Sequence, residues 1–207
     1  MTLLSAAEEY ERQLEILEWM DRRFKGEYEG DRRTHIVLCC FDLTLEHHAA
    51  ICVLHNSGLY GAMFALFRVL YESFIRGFYF WLCASEEELD LYEKKEKITK
   101  NFGELIKAIE EKINLKDGPF SNLKKTSYGI MNSFTHTGYQ HLIRRQLNGK
   151  TGAINYSDEE RAQLLRCTGA LVLQTGVYLA TMQKGSDGLS EEMIQKTQEY
   201  TNKRKIT

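Results

Sequence analysis

Along most of the chain the apolar residues recur at the three- and four-residue spacing of an α-helix, and no segment alternates convincingly with the period of two expected for a strand. Capping-box sequences, in which a serine is followed three residues later by a glutamate, begin at Ser85 and Ser157. The pattern predicts helices over residues 2–25, 32–56, 59–84, 85–114, 120–147 and 157–184, and a last helix capped by Ser190. About seven helices with short connections predict an all-α fold, an antiparallel helical bundle.

The chain length favours one domain spanning residues 1–207. Within it we expect a core bundle over residues 31–184, an N-terminal helix over 1–26, and a C-terminal helix and tail over 190–207. Asp31 is the expected N-cap of the second helix. The short basic tail is interpreted as a solvated terminus rather than an arm that binds nucleic acid.

The composition is that of a soluble globular protein, with 43% hydrophobic and 27% charged residues. A single proline disfavours a loop-rich all-β architecture. The formal net charge of −2 excludes a globally basic nucleic-acid binder but leaves room for a local basic patch. No secretory signal is visible at the start. The five cysteines, in apolar surroundings and without C-x-x-C spacing, predict buried free thiols in the cytoplasm rather than a zinc site.

The segment over residues 59–84 contains only three charged residues, Arg68, Glu72 and Arg76. A helix that is apolar nearly all round is a central bundle helix or a membrane span, and three charges within nine residues favour the bundle. Because the charges are spaced i, i+4, i+8, they share one narrow stripe, with Glu72 between two arginines. The net positive charge of this stripe could receive a phosphate or a carboxylate. An internal ion-pair network that ties helices together is the structural alternative.

A second stripe has the same spacing and consists of Asn132, His136 and Gln140. His136 is the residue of this set that can transfer protons near neutral pH. Two arginines follow, Arg144 and Arg145, the first of them nearly on the face of His136. The alternative is that His136 is a structural residue whose hydrogen bonds only stabilise the fold. Because burying either stripe against hydrocarbon would leave polar groups unpaired, we expect the two stripes to face each other across a helix–helix contact.

A third cluster contains His47, His48 and His55. Histidines at i and i+7 are a weak metal signature, and no Glu-x-x-His pair is present, so neither a metal site nor a cofactor is predicted. The sequence also has no phosphate-cradling glycine loop, G-x-S-x-G or H-E-x-x-H motif, which removes support for the commonest motif-bearing enzyme classes.

Two stretches, residues 66–77 (LFRVLYESFIRG) and 132–138 (NSFTHTG), together resemble an uncharacterised group of bacterial helical proteins. That group is distantly similar to the HEPN superfamily and to the abortive-infection proteins of phage defence. The resemblance implies a helical bundle that forms a homodimer. It also implies either a metal-independent ribonuclease, with an Arg-x4-6-His motif at the dimer interface, or an inactive member that binds nucleotides or partner proteins.

This sequence departs from the HEPN motif, because none of its six histidines has an arginine five to seven residues before it. The arginine role would fall to Arg68 or Arg76. In the first hypothesis, an RNA-directed ribonuclease effector or toxin, His136 moves a proton, the arginines stabilise the charge of the phosphorane, and Glu72 orients them. Asn132 would position the phosphate or the histidine.

Backbone phosphates would be contacted by a further set of polar residues, Lys124, Lys125, Gln140, Arg144 and Arg145. The expected partners are a second copy of the chain, RNA or a nucleotide, and a cognate defence-system or antitoxin protein, with no membrane. The second hypothesis is a non-catalytic interaction or dimerisation module whose Arg-Glu-Arg/His network is structural. An open cleft around these side chains would favour the first hypothesis and a sealed, fully paired network the second.

Overall fold

A computed structural model describes residues 4–25, 28–115, 118–152, 154–185 and 188–202. Within these ranges the chain is all-α, as predicted, with nine helices and one two-residue β-hairpin. The helices are α1 (Ala6–Arg23), α2 (Arg32–Asn56), α3 (Tyr60–Leu82), α4 (Glu86–Lys95), α5 (Phe102–Lys112), α6 (Pro119–Thr135), α7 (Tyr139–Ile143), α8 (Asp158–Met182) and α9 (Leu189–Asn202), and the strands are β1 (Gln146–Leu147) and β2 (Lys150–Thr151).

The apolar helix α3 lies at the centre of the bundle, packed against α2, α5, α6 and α8. Its aromatic residues Phe74, Phe78 and Phe80 are almost completely buried. Gly77 lets α2 approach closely, because a Cβ at this position would lie 2.5 Å from the ring of Phe41. A central helix with several helices around it explains why the sequence is apolar on nearly every face.

A smaller apolar cluster forms where α1 and α9 pack on α8. Its buried residues include Ile16, Val172 and Met193. Among the described helices, α2 is the one whose length and composition would suit a membrane span. This is weak evidence for a span, because Val37, Phe41 and Ile51 of α2 belong to the main core.

The predicted helix over residues 85–114 is in fact two helices, and this prediction was wrong. α4 ends where Glu96 adopts a left-handed conformation with φ 50°. Asn101 then begins α5 with a capping box of its own, in which its side chain accepts from the Glu104 amide and the Glu104 carboxylate accepts from the Asn101 amide. Apolar spacing continues across this break, so periodicity alone does not reveal it.

The predicted helix over residues 120–147 also ends early, at Thr135. Thr137 has φ 54°, and Gly138 then precedes the short helix α7. The following residues, expected to extend the helix and then form a flexible loop, make the hairpin of β1 and β2. Asn148 and Gly149 have φ 50° and 75°, the conformation that favours this dipeptide in tight hairpin turns.

Most of the predicted caps are present. Asp31 caps α2 through the Thr34 amide, and Ser85 and Ser157 form the expected capping boxes. Ser190 is an exception, because α9 begins at Leu189 and Ser190 lies inside its first turn. The basic tail, Lys203 to Lys205, lies outside the described residues.

The cysteines are free, but they are less uniformly buried than predicted. Cys40 and Cys52 are buried, whereas Cys83 and Cys167 are half-buried. Cys39 is exposed, because it lies on the outer side of α2 next to the buried Cys40.

Candidate functional site

The charged stripe of α3 forms a connected network around Glu72. Arg68 Nε donates to Glu72 Oε1 over 2.8 Å, and Arg76 Nη2 donates to Oε2 over 3.4 Å. The side chains of Arg68 and Glu72 are 20% and 19% exposed, whereas that of Arg76 is 42% exposed. Arg76 therefore has the weaker bond and the larger surface, and it is the member of the stripe best able to bind an additional anion.

Tyr128 of α6 completes this network from the neighbouring helix. Its hydroxyl donates to Glu72 Oε1 over 2.9 Å, and the Arg68 guanidinium lies over its ring at 5.2 Å. The ring stacks on Phe102 with centroids 5.0 Å apart. Burial and the hydrogen bond to Glu72 raise the pKa of Tyr128. Burial acts to lower the pKa of Arg68, but the hydrogen bond to Glu72, the charge of Glu72 and the contact with Tyr128 together outweigh it, so the pKa is raised.

The two stripes meet at Arg68 and His136, as the sequence predicts. Arg68 Nη1 lies 2.7 Å from His136 Nε2. Because a guanidinium can only donate, Nε2 is the acceptor and the hydrogen of the neutral ring is on Nδ1. His136 is the C-cap of α6 and is exposed, so this imidazole borders solvent.

An open pocket of about 720 Å³ lies over this network. Its lining includes Arg68, Glu72, Arg76, Lys100, Tyr92, Glu93, Glu96, Phe102 and Tyr128. The pocket combines cationic, anionic and aromatic side chains on α3, α4 and α6 and on the connection between α4 and α5. The cleft opens over the charged stripe, as the first hypothesis expects, but His136 is not among its lining residues, and acidic residues line it on the side of α4.

The rest of the second stripe does not join the site. Gln140 was expected one turn after His136, but α6 ends at Thr135, and Gln140 instead lies on α7, exposed and at the edge of another groove. Asn132 is half-buried, and its Oδ1 is a buried atom without a hydrogen-bond partner among the described residues. Within the described ranges, no hydrogen bond joins the Asn132 side chain to the charged stripe.

The predicted phosphate-binding residues are dispersed. Arg144 is held by Glu160 in two contacts, one of them 2.8 Å between Nη1 and Oε2, and is thereby engaged in joining α7 to α8. Lys124 is half-buried, with its ammonium against the first turn of α5 at Gly103. Lys125 and Arg145 are exposed, on α6 and after α7 respectively.

Two residues that line the pocket, Tyr128 and Lys100, were missed in the sequence. Tyr128 precedes Asn132 by one helical turn, so extending the polar stripe one step back would have found it. Lys100 lies in the break between α4 and α5 and donates to the Tyr79 hydroxyl over 2.8 Å. Hydrogen bonds to Glu88 and Tyr79 raise the pKa of Lys100. No local spacing rule points to Lys100.

The histidine cluster of α2 shows no metal-binding geometry. In the described part of the chain, no three His, Cys, Asp or Glu side chains are grouped so that they could hold a metal ion. His48 is fully buried, and neither of its ring nitrogens has a hydrogen-bond partner among the described residues. Burial lowers its pKa to about 4. His55 stacks on Tyr10 with ring centroids 5.1 Å apart. These rings pack as neutral core residues.

Comparison with known protein families gives a match that covers most of the chain. The family of unknown function DUF6988 matches residues 41–205, a range that includes α3, α6 and both sequence stretches that suggested a family resemblance. The chain belongs to the DUF6988 family. No curated protein and no solved structure matches it. The candidate site of this DUF6988 protein therefore has to be interpreted from its own geometry.

Proposed function

We propose that this DUF6988 protein binds RNA, or another ligand that carries phosphate groups, in the pocket over Arg68, Glu72 and Arg76. The observation that carries the proposal is the position of an exposed histidine, His136, 2.7 Å from an arginine that also lines the pocket. The exposed Arg76 guanidinium supplies a charged donor for a phosphate oxygen. Glu72 fixes the orientation of both arginines.

We further propose that the bound RNA is cleaved without a metal. In this reaction His136 Nε2 takes the proton of a ribose 2′-hydroxyl, and the resulting oxygen attacks the adjacent phosphorus as the bond to the 5′-oxygen breaks. The products are a 2′,3′-cyclic phosphate and a 5′-hydroxyl, which receives its proton from a general acid or water. Arg68 leaves His136 for the phosphorane oxygens, where Arg76 joins it.

The wider biological role that we propose follows the HEPN-like resemblance. The protein would act in the cytoplasm as a ribonuclease effector of phage defence or as a toxin, paired with a cognate defence-system or antitoxin protein. The exposed Lys125 could follow the RNA backbone beyond the pocket. Arg144 is a weaker candidate for this task, because Glu160 already neutralises it.

Replacing Arg76 with glutamine should weaken binding of a fluorescently labelled single-stranded RNA about 10- to 100-fold, since a charged hydrogen bond to phosphate contributes about 1.5–3 kcal/mol. The measurement is fluorescence anisotropy in EDTA at two salt concentrations. The variant should also show a smaller salt dependence, because one phosphate contact is lost.

Arg22→Gln is the matched control, because Arg22 is an exposed arginine on α1 and the change in net charge is the same. Equal RNA affinities for the two variants would contradict the pocket as the binding site. Wild-type protein that does not bind RNA at all would contradict the proposed ligand.

A non-catalytic interaction module is the second candidate. The observation in its favour is that Glu72 already accepts from three donors on two helices, Arg68, Arg76 and Tyr128. Such a network fastens α3 to α6 whether or not a ligand binds. In that case RNA would remain intact, and substitutions in the network would change stability alone.

We also propose that the protein is a homodimer. Large apolar side chains are exposed on α6, α7 and the segment after them, with Ile130 52%, Leu142 48%, Leu147 52% and Ile154 58% exposed. Apolar surface of this kind is typical of a subunit interface. Light scattering at micromolar concentration should give twice the chain mass of 24.1 kDa. Leu142→Asp should shift the mass towards one chain, and a monomeric wild type would contradict the proposal.

A further inference from the structure

The pocket over the charged stripe combines groups of opposite charge. Arg68 and Arg76 of α3 line it, and two carboxylates, Glu93 and Glu96, line it on the side of α4. Carboxylates would weaken a pocket that held phosphate alone, because like charges repel. The volume of about 720 Å³ lies in the range of sites for small organic ligands, so this open pocket has room for more than a phosphate group.

Glu96 is the carboxylate of this pocket that is available to a ligand. Glu93 is already paired, since Arg32 Nε lies 2.8 Å from its Oε2. Glu96 is exposed, and its side chain has no ion pair or hydrogen bond among the described residues. Burial is the main cause of the raised pKa of Tyr92, and among the smaller causes the charge of Arg76 lowers it and that of Glu96 raises it. Tyr92 is therefore within electrostatic reach of both the guanidinium and the carboxylate.

Local structure gives no reason for a glutamate at position 96. This residue is the C-cap of α4 and has φ 50°, a left-handed conformation in which glycine is the usual residue. An acidic side chain is also unfavourable at the end of a helix where the partial charge of the backbone is negative. Residues that break local rules in this way are typical of functional sites, so we interpret the Glu96 carboxylate as a group that serves the pocket.

The chemistry of the pocket fits a nucleotide whose base is guanine. The Watson–Crick edge of guanine presents two adjacent donors, N1–H and the 2-amino group, which match the two oxygens of one carboxylate. Adenine and cytosine each present one donor beside a ring nitrogen that accepts, and uracil presents one donor between two carbonyl oxygens. An acceptor that faces a carboxylate is repelled, so a carboxylate selects guanine. Tyr92, Phe102 and Tyr128 give the pocket aromatic surface for a planar base.

We propose that Glu96 selects guanine in this pocket. Its two carboxylate oxygens accept from N1–H and from the 2-amino group of the base, while Arg76 donates to the phosphate of the same nucleotide. Because Arg76 is the phosphate-binding residue of the proposed function, the guanine preference rests on that function. It adds a base preference to a pocket that would otherwise bind RNA of any sequence.

The test is titration of the full-length protein with guanosine, inosine, adenosine and uridine 5′-monophosphates in EDTA at pH 7, followed by calorimetry. We expect the guanosine nucleotide to bind with a Kd on the order of 1 mM or tighter. The adenosine and uridine nucleotides should bind about tenfold more weakly, because a bidentate contact distinguishes bases by about that factor. The inosine nucleotide keeps N1–H but lacks the 2-amino group, so its affinity should lie between these values.

Two variants separate base selection from an effect on folding. Glu96→Gly removes the carboxylate at a position where glycine is favoured, so its melting temperature should be unchanged or higher while the guanine preference disappears. Glu96→Gln places an amide donor against N1–H, so the ratio of guanosine to adenosine nucleotide affinities should fall about tenfold. Glu87→Gln is the control and should keep the preference, because Glu87 is an exposed glutamate of α4 that does not line the pocket.

Arg76→Gln tests the other end of the nucleotide. It should weaken binding of all four nucleotides by a similar factor, because it removes a contact to the phosphate and leaves the base contact in place. The Glu96 variants, in contrast, should weaken the guanosine nucleotide far more than the uridine nucleotide.

Equal affinities of the wild type for the four nucleotides would overturn the guanine preference, whether or not the protein binds or cleaves RNA. A wild type that binds none of them would also overturn it, and so would a preference that persists in both Glu96 variants. A guanine preference that depends on Glu96, in a protein that leaves RNA intact, would support the nucleotide site and contradict the ribonuclease alone.

Discussion

Glu72→Ala is expected to lower the free energy of unfolding by about 2–3 kcal/mol, measured by urea denaturation. The substitution leaves the guanidinium groups of Arg68 and Arg76 side by side without their shared carboxylate, and it removes the acceptor of the Tyr128 hydroxyl. Breaking a fully buried ion pair costs about 3–5 kcal/mol. The expected loss is smaller here because the Arg76 side chain is 42% exposed and water can solvate it.

Glu72→Gln separates the charge from the hydrogen bonds, because an amide oxygen still accepts from the Tyr128 hydroxyl. It should cost about half as much as the alanine variant. Tyr128→Phe, which removes one donor and keeps the ring on Phe102, should cost about 1 kcal/mol. A loss below about 0.5 kcal/mol for Glu72→Ala would mean that the network contributes little to stability, as many exposed ion pairs do.

The features that the sequence predicts well depend on short-range spacing. The charges of α3 are separated by single helical turns, so their common face follows once the helix is assigned. The facing of the two stripes follows from the cost of burying unpaired polar groups, and the contact between Arg68 and His136 agrees with it.

The features that the sequence does not predict depend on helix ends. Apolar periodicity passes through the break at Glu96 and through the end of α6 at Thr135, so it predicts helices that are too long. The prediction that Gln140 lies one turn after His136 on the same helix was wrong for this reason. The reversal after His136 brings His141 back against the start of α3, and no periodic pattern in the sequence points to that contact.

The sequence also does not predict ion pairs between residues that are far apart along the chain. In the sequence Glu160 is explained as the glutamate of a capping box, three residues after Ser157, and it does accept from the Ser157 amide. The same carboxylate also binds Arg144, which removes the charge that was expected to contact a phosphate. When a capping role already explains why a residue is a glutamate, the sequence gives no sign that it also forms an ion pair with a distant residue.

His136→Ala is expected to reduce RNA cleavage by about 100- to 10,000-fold, the usual contribution of a general base. Its effect on stability should be small, about 1 kcal/mol, because His136 is exposed and the substitution removes one hydrogen bond without leaving a buried charge unpaired. Activity is measured in EDTA on purified protein by the appearance of 2′,3′-cyclic phosphate ends, and stability by urea denaturation.

His35→Ala is the matched control for this variant, because His35 is an exposed histidine on α2 that, unlike His136, does not hydrogen-bond Arg68 among the described residues. It should leave both activity and stability unchanged. We expect His136→Ala to reduce cleavage strongly and stability little, whereas Glu72→Ala should lower the free energy of unfolding more. This contrast distinguishes a group that reacts with the RNA from one that positions its neighbours. A folded His136→Ala protein with full nuclease activity would remove His136 from the site. The proposed cleavage would then lose the base assigned to it, since in the part of the chain that the structure describes no other histidine contacts Arg68.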